Sequence, residues 1–453
     1  MGTNLALLHL LWSIITGSFL RSRGAIFPAL QSGGFNREES YRSWQARPKG
    51  TRQGTWGIGK LVKNWRSYVM EQGRWQANSY EGYRPLAVDS TAFWRPRLQG
   101  WKGKFFHGIA QRALKGVGLL VQVGQVDGHR IPLLKAIIPA GFQTESQDEF
   151  KQVVLWHAQQ NLAEDEVAVH DAGASVADMQ ASAMPRFVLR LARNCTARRH
   201  PLPGNQRGGS PLGAAEYGRM VRPLARQHNG NTLPATPPDV ETEFTHEGRT
   251  IPVQGWHGLV RRDQTVSQDH ETFSIWVFFD PLYQNPLVVG TNLSALPCTI
   301  FRLYLDRWPR PKGTRQVPLV AKQTLGLHRH FVWALLSCIR LPALALLVAN
   351  ILTYLAATLP PLPTGFWERQ PKKRQVASVA AWLGLIFHMI THFTANFAKN
   401  SPIPTICPRA LRLAGWQNHR SDRPLTYDLA FLTSFRPSYD LLISEPVTFC
   451  CLP

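Results

Sequence analysis

Acidic side chains are in short supply in this chain. Across 453 residues, 29 Asp and Glu stand against 51 Lys and Arg, a formal charge of +22. That imbalance points to a polyanionic partner such as nucleic acid, although a basic surface with no partner has the same composition. Cysteine is also sparse. The six (Cys195, Cys298, Cys338, Cys407, Cys450 and Cys451) are dispersed, with no CxxC pair and no Cys/His array at zinc spacing, which excludes a disulfide framework and a structural zinc. The N-terminal run TNLALLHLLWSIITGSFL lacks a basic n-region and a clear cleavage site, so it reads as a core helix of an N-terminal bundle and not as a leader.

Apolar residues are plentiful. At 44% hydrophobic, with 15 Trp and 22 Phe, the chain is expected to fold, and its length suits two or three domains. The segment LPALALLVANILTYLAATLPPLP at 341–363 approaches the length of a membrane span. Asn350, Thr353 and Tyr354 inside it favour a buried helix of a large domain. A second apolar run, VASVAAWLGLIFHMITHF at 376–393, carries two histidines, which suit a span poorly.

Residues 1–80 have helical spacing, with a Gly-Gly break that suits a small bundle or helix-turn-helix. From Tyr83 the texture becomes strand-like: RPLAVDSTAFW, KGVGLLVQVGQ and HRIPLLKAIIP. Helical SQDEFKQVVLWHAQQNLAED follows, then strand EVAVHD, a turn and helix in AGASVADMQAS, and strand RFVLRLARN. Together these imply an α/β core over 81–194, a mixed sheet with flanking helices. Residues 195–270 are Gly- and Pro-rich with short alternations and read as a β-rich insertion interrupting the layers. The α/β texture resumes over 271–367 with FSIWVFFDP and PLVVGTN, and no domain is assigned to 368–453.

Two carboxylates stand at strand ends, Asp89 in LAVDST and Asp171 in VAVHDAG. A single Asp in such a place is more often a turn or cap residue. Two on adjacent strands can converge on hard divalent cations such as Mg2+ or Mn2+, which activate a water or a 3′-hydroxyl for attack on a phosphodiester. RLARNCTARR adds Arg190, Arg193, Arg198 and Arg199, whose forked guanidinium groups suit phosphate oxygens or, equally, form a solvated basic strand edge.

The stretches YEGYRPLAVDSTAFWRPRL, VHDAG, RFVLRLARNCTARR, EYGRMVRPLAR, LYLDRWP and VPLVAKQTLGLHRHFV, in that order within residues 3–367, resemble the bacterial insertion-sequence transposases of the DDE class that carry a Y-R-E-K signature. The resemblance implies an RNase H-like core with an N-terminal helical DNA-binding region and a β-insertion. It also implies DNA strand transfer at transposon ends with Mg2+ or Mn2+ on Asp89 and Asp171. The signature tyrosine, arginine and lysine match Tyr304, Arg307 and Lys322, which are expected to hold end phosphates. Double-stranded DNA, at the transposon ends and the target, is the implied partner. A homodimer on DNA in the bacterial cytoplasm, associated with the nucleoid and without a membrane, is the implied setting.

The pattern breaks at the third acid. Where a Glu should follow RWP, the chain has RPKGTRQ, a heptapeptide that also occurs at 47–53. Asp306 is the only acidic residue between Asp280 and Glu368, and one residue before Arg307 it is expected on a different helix face from the missing Glu. Three readings stay open: an active transposase, a transposase-derived DNA binder without catalysis, and a membrane protein built on the apolar runs.

Overall fold

The computed structural model describes residues 3–22, 25–32, 38, 56–93, 105–107, 112–139, 146–199, 219–264, 271–307, 317–326 and 335–363, with 376, 377, 379, 380 and 383. Both copies of RPKGTRQ, the expected position of the third acid and nearly all of 368–453 lie outside the described residues. The chain divides into two compact units, one of Ile58–Leu319 and one of Met1–Gly57 with Val320–Pro453.

Three helices open the chain, α1 (Thr3–Ile15), α2 (Ser18–Arg21) and α3 (Ile26–Ser32). Leu7, Leu10 and Ile14 on α1 recur at helical spacing and are buried, so this first run is a core helix. Gly17, at φ +68°, turns the chain out of α1 in the left-handed conformation that costs glycine least. Helix α4 (Ile58–Glu71), which the sequence groups with this region, belongs to the sheet-containing unit and packs on its strands.

In that unit come β1 (Gln76–Ala77), β2 (Arg84–Phe93), β3 (Phe105–His107), β4 (Arg112–Val126), β5 (His129–Pro139), α5 (Gln147–Asn161), β6 (Glu166–His170), α6 (Val176–Ala181) and β7 (Phe187–Arg190). Ser146 caps α5 by accepting from the Glu149 amide at 3.1 Å, and Ser175 and Asp178 form a reciprocal capping box at the start of α6. Strands β5, β4 and β2 pair antiparallel, whereas β2, β6 and β7 run parallel. The two parallel steps are made possible by the crossover helices α5 and α6.

Beyond β7 the chain adds β8 (Ala197–Arg199), β9 (Met220–Val221), β10 (Arg226–His228), β11 (Asn231–Leu233), β12 (Val240–His246), β13 (Arg249–Arg261), β14 (Phe273–Phe278) and β15 (Leu287–Thr291). The described residues within 195–270 supply β8 to β13. Strand β13 pairs with β14, and β15 joins β14 to β7, so one mixed sheet of 13 strands runs through the unit. The physical reason is edge coverage, since β13 satisfies the backbone groups that β14 would otherwise expose.

The sheet buries both faces. Leu86, Val88, Ala168 and Leu189 pack on one side with Phe150, Val154 and Leu155 of α5 and Met179 of α6. Val167, Val169, Val188 and Val289 pack on the other with Ile300, Phe301 and Leu303 of α7 (Pro297–Asp306). Alternation along each strand therefore decides which residues face α7.

In the second unit α8 (Val317–Gln323), within which the division between units falls, leads toward α9 (Leu335–Thr358). Residues Leu336–Thr358 of α9 form the one helix among the described residues long and apolar enough to cross a membrane, and 78% of its most apolar window is buried inside the protein. Asn350 and Thr353 are buried with it, and the Thr353 hydroxyl donates to the Ala349 carbonyl at 2.7 Å.

A methyl group added at Gly118 on β4 would meet Val154 Cγ2 of α5 at 2.5 Å. Valine is stiff about χ1, so the helix itself must shift. Gly118→Ala is expected to destabilise this unit by about 1–3 kcal/mol, read as a lowered midpoint in urea or thermal unfolding.

Candidate functional site

The parallel register brings three sequence-predicted residues into one row. Val88 on β2 pairs with His170 on β6, and His170 pairs with Leu189 on β7. One residue further along each strand come Asp89, Asp171 and Arg190. Neighbouring strands lie about 4.8 Å apart, so the two carboxylates are side by side. Each is two residues beyond a side chain that packs toward α7, or that lies on the same parity: Ala87, Val169 and Val188 respectively. All three thus project to the α7 face.

Helix α7 completes the cluster from above. Ile300, Phe301 and Leu303 seat it on the sheet, with the Phe301 ring 5.1 Å from Phe278 and 5.4 Å from Phe244. Tyr304 and Arg307, three apart, share a face. The Arg307 Nη2 donates to Asp171 Oδ2 at 3.0 Å, and the Tyr304 hydroxyl lies 3.5 Å from Asp171 Oδ1. Arg190 Nη1 stands 3.8 Å from the same Oδ1, and the Ala172 amide donates to it at 2.9 Å. Asp89, half-buried, accepts from the Ser90 amide at 2.9 Å.

Burial alone would push the Asp171 carboxyl upward. The Arg307 guanidinium, the Ala172 amide and Arg190 outweigh that and hold it below the usual carboxylate range. Burial raises the Tyr304 phenol, and the Asp171 charge raises it further. Desolvation chiefly lowers the pKa of His170, buried beside the pair, and its Nδ1 lies 2.9 Å from the Asp171 carbonyl oxygen.

Asp306 occupies another face of the same helix. Its Oδ2 accepts from Asn78 Nδ2 and the Tyr80 hydroxyl, each at 2.5 Å, and Arg130 Nε lies 3.3 Å from Oδ1. Only 1% of its side chain is exposed. Arg302, one turn earlier, stacks over the Tyr80 ring at 6.0 Å. The carboxylate considered for the third acid is therefore committed to anchoring α7, away from the face that carries Tyr304 and Arg307. Sequence reasoning missed this anchor, because Asn78 and Tyr80 lie 228 and 226 positions from Asp306 and no local pattern links them.

The remaining basic residues are dispersed. Arg193 donates to Asn285 Oδ1 at 2.7 Å, and Arg198 Nε donates to the Arg262 carbonyl at 3.1 Å. Arg199 grips Asp239 with both Nη atoms and donates to the His257 carbonyl at 3.0 Å, tying β8 to β13 and the approach to β12. The structure thus gives these three arginines contacts within the sheet unit, apart from the Asp171 cluster. Lys322 lies on α8, in the part of that helix assigned to the other unit.

Oxygen donors for a hard cation are present in Asp89 and Asp171, and Mg2+ is commonly held by one or two carboxylates with waters completing its shell. Among the described residues no group of three or more His, Cys, Asp or Glu converges. Asp89 and Asp171 are thus the only two carboxylates of the row among the described residues, and the guanidinium groups of Arg190 and Arg307 stand beside Asp171.

Two substitutions on α7 separate anchoring from the cluster. Asp306→Ala strands Asn78, Tyr80 and Arg130 and is expected to cost about 3 kcal/mol in unfolding measurements. Arg307→Ala removes the main charge on Asp171, whose carboxyl should titrate at higher pH by carboxyl-detected NMR. Because Asp171 has a folded pKa below its unfolded value, its contribution to stability is complete above about pH 4 and is lost as pH falls through the folded value. Arg307→Ala should flatten that acid limb.

The sequence matches no protein-family profile and no curated protein. Among solved structures the chain is similar to a piggyBac transposase in a synaptic complex with hairpin DNA, at 8% identity and a TM-score of 0.35, covering 95% of this chain and 80% of that one.

Proposed function

We propose that this chain is a transposase-type protein that binds double-stranded DNA and carries the remains of, or a reduced form of, a metal-dependent phosphodiester site at Asp89 and Asp171. The single observation that carries the reading is the row formed across β2, β6 and β7, two carboxylates and an arginine one step past the pairs Val88–His170 and His170–Leu189 of three parallel strands, at the ends of β6 and β7 and inside the longer β2. Ligand sites in sheets of this kind gather at such strand ends. An antiparallel β5-β4-β2 arrangement that continues into β6 and β7 parallel to β2 supports an RNase H-like core.

Asp89 and Asp171 would hold Mg2+ or Mn2+, whose chemistry is to activate an attacking oxygen and stabilise the leaving one. The protein's own share is positioning. Arg190, with half its side chain exposed, offers a fork to phosphate oxygens at the edge of the row. Arg307 and Tyr304 bring a guanidinium and a neutral hydroxyl to the same carboxylate from the helix side. His170 holds the backbone after β6 through the Asp171 carbonyl, which fixes where that carboxylate starts.

A second reading is DNA binding without cleavage. It is favoured by RPKGTRQ, which puts Arg310, Lys312 and Arg315 where a third carboxylate is expected, and by the commitment of Asp306 to Asn78, Tyr80 and Arg130. Positive charge there repels the cation it should help to hold.

The two readings separate on a supercoiled plasmid carrying the genomic DNA from both sides of the coding sequence. Mg2+- or Mn2+-dependent strand cleavage that disappears in Asp89→Ala and Asp171→Ala supports the catalytic reading. Salt-sensitive duplex binding with no cutting by the unsubstituted chain supports the second. Absence of duplex binding at low salt would overturn both.

A further inference from the structure

Arg307 poses a problem for the chemistry just described. Only 7% of its side chain is exposed, and its Nη2 sits 3.0 Å from Asp171 Oδ2. On the other oxygen, Arg190 Nη1 is 3.8 Å away and the Tyr304 hydroxyl 3.5 Å. The carboxylate assigned to a divalent cation is thus already met by two cations of the protein itself. A guanidinium and a hard metal ion compete for the same carboxylate oxygens, and their like charges disfavour joint occupancy at close range. The same fork also matches phosphate oxygens, the groups that a DNA backbone would bring to this edge of the sheet.

We infer that Arg307 is a built-in counter-ion of Asp171, which DNA phosphate draws off before that carboxylate takes up a divalent cation. This inference rests on the metal-site reading of Asp89 and Asp171. Its consequence is order: the site is charge-balanced when DNA is absent and acquires affinity for metal as a phosphate engages Arg307. Coupling of this kind is reciprocal, so metal also strengthens the hold on DNA, and the factor for such linkages is typically about 5- to 150-fold. The anchor of helix α7 at Asp306 lies on a separate face from the Arg307–Asp171 contact.

The test is Mn2+ binding to the full chain without DNA, followed by the paramagnetic resonance signal of free Mn2+. Arg307→Gln should bind Mn2+ about tenfold more tightly than the unsubstituted chain, within the range for such linkages. Arg307→Lys keeps the charge and should bind no more tightly, and Asp171→Asn added to Arg307→Gln should erase the gain. A measurement on the unsubstituted chain guards against a misfolded variant: in metal-free buffer, duplex DNA should shift the NMR signal of the Arg307 side-chain N–H. Equal Mn2+ affinity with and without Arg307, while Asp171→Asn weakens both, overturns the counter-ion role and leaves the metal site standing. An Arg307 signal unmoved by bound DNA does the same. Mn2+ binding that is insensitive to Asp171→Asn in every background overturns the metal site and the inference together.

Discussion

The parallel pairing of β2 with β6 is the constraint on which the site depends. Pairing Val88 with His170 leaves Asp89 and Asp171 one step beyond the last hydrogen-bonded pair, on the same face and at the same height. A shift of one residue in that register would turn one carboxylate to the opposite face of the sheet, into the apolar layer under α5 and α6. That layer is what prevents the shift. Leu86, Val88, Ala168 and Leu189 must all stay on its side, and burial of so many aliphatic side chains outweighs what any single polar contact could contribute.

Helix α7 turns this fixed edge into a charge-balanced cluster. Consecutive residues at its C-terminal end serve different purposes because helical geometry separates them by about 100°. Asp306 points to Asn78, Tyr80 and Arg130 and fixes the end of the helix. Arg307 points to Asp171 and neutralises it. Two guanidinium groups, of Arg190 and Arg307, then meet at Asp171, which explains why its carboxyl lies below the usual range although it is half-buried.

Much of the fold was legible in the sequence. The runs around Leu86, Leu119, Ile137, Val167 and Val188 matched strands, and SQDEFKQVVLWHAQQNLAED and AGASVADMQAS matched the helices between them. A strand end marked Asp171, because an apolar run that stops at an acid is visible locally, whereas Asp89, read the same way, lies inside β2, which continues to Phe93. Less legible was the part played by residues 195–270. Their Gly and Pro content signals turns and strands, but nothing local says that β13 will pair with β14 and lengthen the central sheet. The arginines of RLARNCTARR illustrate the same limit. They are alike in sequence, yet Arg190 reaches Asp171, whereas Arg199 is spent on Asp239 and Arg198 on a backbone carbonyl.

By itself the sequence determined the basic character of the chain, the periodicities that set strand and helix, and the apolar runs that lead into Asp89 and Asp171. These are properties of composition and short-range order, and they survive without knowing what lies next to what. Only the tertiary structure decided that Asp89, Asp171 and Arg190 form one row, that Asp306 anchors rather than joins them, and that Arg307 faces Asp171. Those outcomes follow from strand register and helix rotation, which are set by packing of apolar faces between segments well separated in the chain.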